Sequence, residues 1–148
     1  MGYCITLTDN RLLITHAKQA SALEAVKQLM TRTDLMTGGS NRGDRWFAWV
    51  NDNSIMEATE LGEALLDWRY EPEYDDEGRD IVRVELLGEK IGDEVHLWRV
   101  IAPYVEDGSF LDYIGEDDER WRWEFVGGKL YERNGINVWS DPTPVLEA

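Results

Sequence analysis

Apolar positions change period several times along this chain, and each change marks an element. Tyr3 to Leu7 alternates β-formers, and Arg11 to Thr15 continues as a partner strand or a short extended return. From Ala17 to Arg32 the residues Leu23, Val26, Leu29 and Met30, with Ala22, recur at three and four positions and share one helical face. Thr33 to Gly43 holds three glycines with Ser40 and Asn41 and reads as a loop. Arg45 to Val50, with Trp46, Phe47 and Trp49, reads as a short aromatic strand. Ser54 and Glu57 fit a capping box for a second helix from about Ile55 to Arg69, with Ala58, Leu61, Leu65 and Trp68 at helical spacing.

Pro72 to Gly78 is a loop by its acidic composition, whereas Val82, Val84 and Leu86 alternate with Arg83 and Glu85 as in a half-buried strand. Asp93 is placed to cap a third helix carrying Val95, Trp98, Ile101 and Ala102. The same segment also alternates as a strand through Val95, Leu97 and Ile101, and Pro103 limits its helical length. After the Asp107-Gly108 turn, Phe110 to Ile114 opens a β-meander. Gly127-Gly128 and Asn134-Gly135 are two-residue loops that favour hairpins, the second leading into a strand at Ile136 to Trp139. The first hairpin's register sets Phe125 opposite Leu130 and Glu124 opposite Tyr131. It gathers Trp121, Trp123 and Phe125 on one face and Arg122 and Glu124 on the other.

No repeat or linker divides the sequence, so residues 1–148 are expected to form a single domain, with 141–148, containing Pro142 and Pro144, as an extended tail. The expected class is α+β: a mainly antiparallel sheet with two or three helices packed on one face and a C-terminal β-meander. That leaves a sheet face free. Trp and Tyr on it, rimmed by acids, would make a protein-binding surface, although most tryptophans in so small a domain belong to the core and its rim.

Charge sharpens this picture. The chain has 43% hydrophobic residues and seven Trp, enough to build a core, yet its formal charge is −15. Residues 1–50 hold four acids and six bases, whereas residues 51–148 hold 26 acids and nine bases. Two runs dominate: Glu71, Glu73, Asp75, Asp76 and Glu77, then Glu116, Asp117, Asp118 and Glu119. Such a field repels phosphate backbones and anionic lipid, which excludes direct nucleic-acid or membrane binding, and steers basic protein surfaces into contact. The plain alternative is that the runs are solvated loops that maintain solubility. Cys4 has no partner for an internal disulfide, no stretch approaches the ~20 apolar residues of a membrane span, and no signal-peptide pattern opens the chain. A cytoplasmic protein is expected.

Candidate chemistry is sparse. Cys4, His16 and His96 stand outside any G-x-S-x-G or C-x-x-C context, and Cys4 in a strand reads as a small buried hydrophobe. Two histidines without cysteine partners make no zinc pattern, and Asp75-Asp76-Glu77-Gly78-Arg79-Asp80 lacks the alternating ligands of an EF-hand loop. Gly38-Gly39 and Gly43 form no nucleotide-binding pattern. Basic patches interleaved with aromatics are absent as well, since Arg120, Arg122 and Arg133 sit among at least as many acids. No cofactor, metal or catalytic residue is expected. Carboxylates beside aromatics also fit a sugar or cation cleft, with two of Glu71, Glu73, Glu116 or Asp118 as acid and base.

The stretch Ala102-Pro103-Tyr104-Val105-Glu106-Asp107-Gly108-Ser109, then Gly115-Glu116-Asp117, Trp121-Arg122-Trp123-Glu124-Phe125 and Gly128-Lys129, resembles small acidic proteins of phages and bacterial mobile elements over residues 80–133. That group brings no catalytic residues. The resemblance implies a protein that binds and blocks host machinery, in some cases by presenting carboxylates where a nuclease expects phosphates.

The expected function is therefore a non-enzymatic binding protein that occupies a basic site on another protein, such as a nucleic-acid-handling or defence enzyme, by partial nucleic-acid mimicry. An immunity protein against a basic toxin and a small carboxylate enzyme, or a binder of a sugar or cationic ligand, are the alternatives. Expected contact residues are Glu71, Glu73, Asp75, Asp76, Glu77, Glu116, Asp117, Asp118 and Glu119 for charge. Trp68, Tyr70, Tyr74 and Tyr113 are the expected aromatic anchors.

Overall fold

A computed structural model describes residues 2–50 and 54–146, and among these it has three α-helices and eight antiparallel strands. The expected α+β class and C-terminal meander are present. β1 (Ile5–Arg11) is followed by α1 (His16–Leu29), whose buried residues Ala22, Leu23, Val26 and Leu29 are those that the helical spacing picked out. Thr15 makes no side-chain cap, so α1 takes its cap from another element: Asp80 Oδ1 accepts the His16 N–H at 2.8 Å.

The glycine-rich loop carries a short strand, β2 (Gly38–Gly39), paired with β3 (Arg45–Trp46). The expected aromatic strand therefore ends at Trp46, and Trp49 takes a left-handed backbone, φ 65°. The expected second helix is also shorter. Ile55–Glu57 forms one 3-10 turn, Ala58 and Glu60 are extended, and α2 spans Leu61–Asp67. Its capping box is formed by Glu60 and Glu63, not Ser54 and Glu57.

β4 (Tyr70–Tyr74) and β5 (Ile81–Leu86) form a hairpin where the acidic composition suggested a loop. Tyr70 and Pro72 turn inward from β4 while Glu71 and Glu73 stay exposed. α3 (Glu94–Ile101) is helical and ends in a 3-10 turn at Ala102–Tyr104. β6 (Phe110–Gly115), β7 (Arg120–Val126) and β8 (Lys129–Asn134) then complete a sheet in the order β1-β6-β7-β8. The β7–β8 register pairs Phe125 with Leu130 and Glu124 with Tyr131, as the Gly127-Gly128 turn requires; both glycines have positive φ.

Leu111, Tyr113, Trp123 and Phe125 of the sheet pack into one core with Leu97, Trp98 and Ile101 of α3 and with Trp68 and Tyr70. Aromatic edges meet within it: Tyr70 lies 4.8 Å from Trp98, and Tyr113 lies 5.1 Å from Trp123. The buried Asp93 carboxylate accepts the Thr37 hydroxyl and the Thr37 and Ala48 N–H groups, fastening the loop between α1 and α2 to the start of α3. The segment after Asn134 forms no strand, so the expected strand at Ile136 to Trp139 is unmade. Residues 147–148 of the expected tail lie outside the described residues.

Candidate binding surface

β1 separates the two acidic runs. Ile5 at its start pairs with Gly115, beside the Glu116–Glu119 turn, whereas Ile14 beyond its end bridges to Ile81, beside the Asp75–Asp80 turn. Nine residues of extended backbone put these points about 25–30 Å apart. The two acidic runs therefore lie toward separate ends of β1.

At the β4–β5 end, much of the charge is committed to structure. Asp75 Oδ1 accepts the Arg79 N–H at 2.9 Å and the Asp80 N–H at 3.3 Å, and these backbone donors hold its carboxyl below the usual range. Asp80 caps α1, and Glu73 pairs with Arg83 at 3.2 Å. Asp76, Glu77 and Glu71 remain exposed, with Tyr74 at 40% exposure nearby.

Trp68, Tyr70 and Tyr113 do not anchor a surface. They are at most 1% exposed, because helical spacing and strand alternation turn them inward. The Tyr70 hydroxyl donates to Glu94 Oε2 at 3.0 Å and lies 2.7 Å from the Tyr113 hydroxyl. Glu94, itself 1% exposed, also receives the Gly92 N–H and the Arg69 guanidinium, the latter at 3.2 Å. The two hydroxyls and the Glu94 carboxylate satisfy one another inside the core, whereas Arg69 Nε has no hydrogen-bond partner among the described residues.

The other end has a built concavity. Gly115 N–H donates to the Glu119 carbonyl at 2.8 Å, closing the β6–β7 turn, and Asp118 sits there with φ 65°. Residues just before β1 clamp the turn: Glu116 N–H donates to the Cys4 carbonyl, Cys4 N–H donates to Glu116 Oε1, and Asp117 N–H donates to the Tyr3 hydroxyl. Tyr3 in turn hydrogen-bonds Glu119, whose carboxylate raises the phenol's pKa. A Cβ on Gly115 would stand 2.5 Å from the Tyr3 hydroxyl, so this approach requires glycine.

Beside the turn lies a cleft of about 660 Å³, walled by Tyr3, Trp121 and Trp123 and carrying the carboxylates of Asp118, Glu119 and Glu132 with Arg120 as the one base among its lining residues. Trp121 stacks on Tyr113 at 5.4 Å and 12°, and Trp123 Nε1 donates to Glu132 Oε1 at 2.8 Å. Aromatic faces beside carboxylates suit a cation with an apolar stem. Sequence reasoning reached Asp118 and Glu119 but missed Tyr3, Trp121, Trp123 and Glu132 as partners. The hairpin register held the signal for Glu132, which lies opposite Trp123, while Tyr3 arrives from over a hundred residues away.

The open face of the sheet is not an acid-rimmed aromatic surface either, since Trp121 and Trp123 point to its covered side. Strand alternation sorts Arg11, Arg120, Arg122, Lys129 and Arg133 onto it. Asp9, Asp112 and Glu124 are the acids that share it, and Arg122 is gripped by Asp112 at 2.6 Å above the Phe110 ring. Bases dispersed among acids and aromatics in the sequence are gathered in space, leaving this face net positive.

Among the described residues, no group of three or more His, Cys, Asp or Glu side chains is placed to hold a metal ion, and no helix is long and apolar enough to cross a membrane. Comparison with protein-family models, curated proteins and solved structures finds no match.

Proposed function

We propose that this chain is a non-enzymatic binding protein that offers the Glu116–Glu119 turn and the adjoining aromatic cleft to a basic site on another protein. The observation that carries this reading is the convergence of Asp118, Glu119 and Glu132 with Tyr3, Trp121 and Trp123 around one cleft. A lysine or arginine of the partner would enter with its stem against the indoles and its head among the carboxylates. Asp76 and Glu77, at the far end, contribute to long-range steering more than to contact.

The resemblance to acidic proteins of phages and bacterial mobile elements favours a host nucleic-acid-handling or defence enzyme as the partner. Carboxylates would then stand in for phosphates at one end of the molecule. The test is retention of a bacterial partner at low salt and at about 0.5 M salt, where the Debye length falls to a few ångströms. Asp117→Asn, Asp118→Asn, Glu119→Gln and Glu132→Gln combined should abolish salt-sensitive retention. Retention that is unchanged by these four substitutions overturns the proposal.

A further inference from the structure

The four-stranded sheet has one closed edge and one open edge. β1 is covered: Ile5 N–H donates to the Glu89 carbonyl at 2.8 Å, Leu12 N–H to the Val82 carbonyl at 3.0 Å, and Ile14 and Ile81 exchange both backbone bonds. Among the described residues β8 pairs only with β7, so half of its backbone groups face outward over six residues.

The chain beyond β8 does not reverse to cover that edge. A tight hairpin at Asn134-Gly135 needs positive φ at both residues, and neither has it. Instead Gly135 N–H donates to the Arg120 carbonyl at 2.7 Å, extending the ladder with β7 by one step. A Cβ on Gly135 would lie 2.8 Å from the Arg120 Cβ, so the glycine serves close passage over β7, not a turn. The strand-like segment then overruns the sheet, leaving Ile136 82%, Val138 80% and Trp139 88% exposed.

We propose that residues 129–139 pair antiparallel with the same residues of a second copy, about a two-fold axis at Asn134, joining two sheets into one. The tail of each copy then covers the open β8 edge of the other, a closed, self-complementary interface. In that register Val138 lies opposite Leu130, both on the covered face of the sheet, and Trp139 lies opposite Lys129 on the open face. Local charge permits the contact: within 129–139, Lys129 and Arg133 outnumber Glu132 in a chain whose formal charge is −15. Repulsion between the remaining acids opposes it, so salt strengthens this association, opposite in sign to attraction of a basic partner.

Sedimentation of the purified chain at about 0.1 mM, a range where weak interfaces assemble, should give twice the monomer mass of 17.1 kDa, with more dimer at high salt. Truncation after Gly135 removes only exposed side chains of the described tail and should return the monomer with its unfolding transition unchanged. In a Cys4→Ser background, Asn134→Cys should cross-link the dimer under mild oxidation, because residues on the axis face each other. A monomer at both salt concentrations overturns the proposal, as does a dimer that survives truncation or a dimer in which Asn134→Cys fails to cross-link.

Discussion

The Asn10 side chain holds the backbone of Val84 at both of its polar groups: Nδ2 donates to the Val84 carbonyl and Oδ1 accepts the Val84 N–H, each at 2.9 Å. A buried amide at 4% exposure thus substitutes for the ladder that β1 and β5 do not form there. Asn10→Ala leaves a donor and an acceptor on Val84 unpaired and should cost about 2–4 kcal/mol in equilibrium urea unfolding. Asn10→Asp should cost at least as much, since a carboxylate cannot donate to the Val84 carbonyl. A loss below about 1 kcal/mol for both would show that water replaces the amide.

Tyr70 and Tyr113 predict a specific alkaline limit. Burial pushes both phenols well above their usual range, and the neighbouring Glu94 carboxylate adds to the shift. The unfolded chain ionises them near pH 10 and the folded chain does not. Their contribution to stability is therefore complete below about pH 10 and is lost as pH rises beyond it. Tyrosinate absorbance during an alkaline titration should register these two phenols only with cooperative unfolding. Tyr113→Phe should destabilise by about 1–2 kcal/mol, by removing the hydroxyl beside Tyr70.

The elements most legible in the sequence were those whose signals are local. The period of Leu23, Val26 and Leu29 marks α1, and Gly127-Gly128 fixes the β7–β8 register to the residue. β4 was hidden because its outward residues, Glu71 and Glu73, belong to an acidic run that composition assigns to a loop, while the inward turn of Tyr70 and Pro72 depends on pairing with β5. The anchors failed for a related reason: Trp68, Tyr70 and Tyr113 lie near acids in sequence, but their elements turn them into the core. Asn134-Gly135 carries a hairpin motif, yet its backbone stays extended alongside β7 because of the close packing on Arg120. Local propensity does not include that contact. The cleft joins Tyr3 to Glu119 and Trp123 to Glu132, and only the second pair lies within one hairpin.

Asp118 separates the stability of the acidic turn from its charge. Its φ of 65° is a left-handed conformation that glycine adopts freely, asparagine and aspartate tolerate, and alanine resists. Asp118→Gly should raise stability by up to about 1 kcal/mol, Asp118→Asn should leave it within about 0.5 kcal/mol, and Asp118→Ala should lower it by about 1 kcal/mol. Thermal unfolding reads this order. All three should weaken a basic partner to a similar extent, since all remove the same carboxylate. Binding that follows stability across the series would assign Asp118 a conformational role only.

Guanidinium recognition by the cleft can be tested without the partner, because Trp121 and Trp123 report on its contents by fluorescence. A short peptide with one arginine should quench them, and the same peptide with citrulline, which keeps the shape but not the charge, should bind at least about tenfold more weakly. Glu119 and Glu132 line the cleft from different elements, the β6–β7 turn and β8, so the charge facing a cation is shared between them. Each is solvent-facing, and such ion pairs contribute about 0.2–1 kcal/mol. Glu119→Gln or Glu132→Gln alone should therefore weaken binding by up to about fivefold, and the pair together by about tenfold or more. Glu132→Gln preserves an oxygen to accept the Trp123 Nε1–H, which keeps the indole in place and isolates the loss of charge. Equal affinity for the arginine and citrulline peptides would instead make the cleft an apolar site that does not read charge.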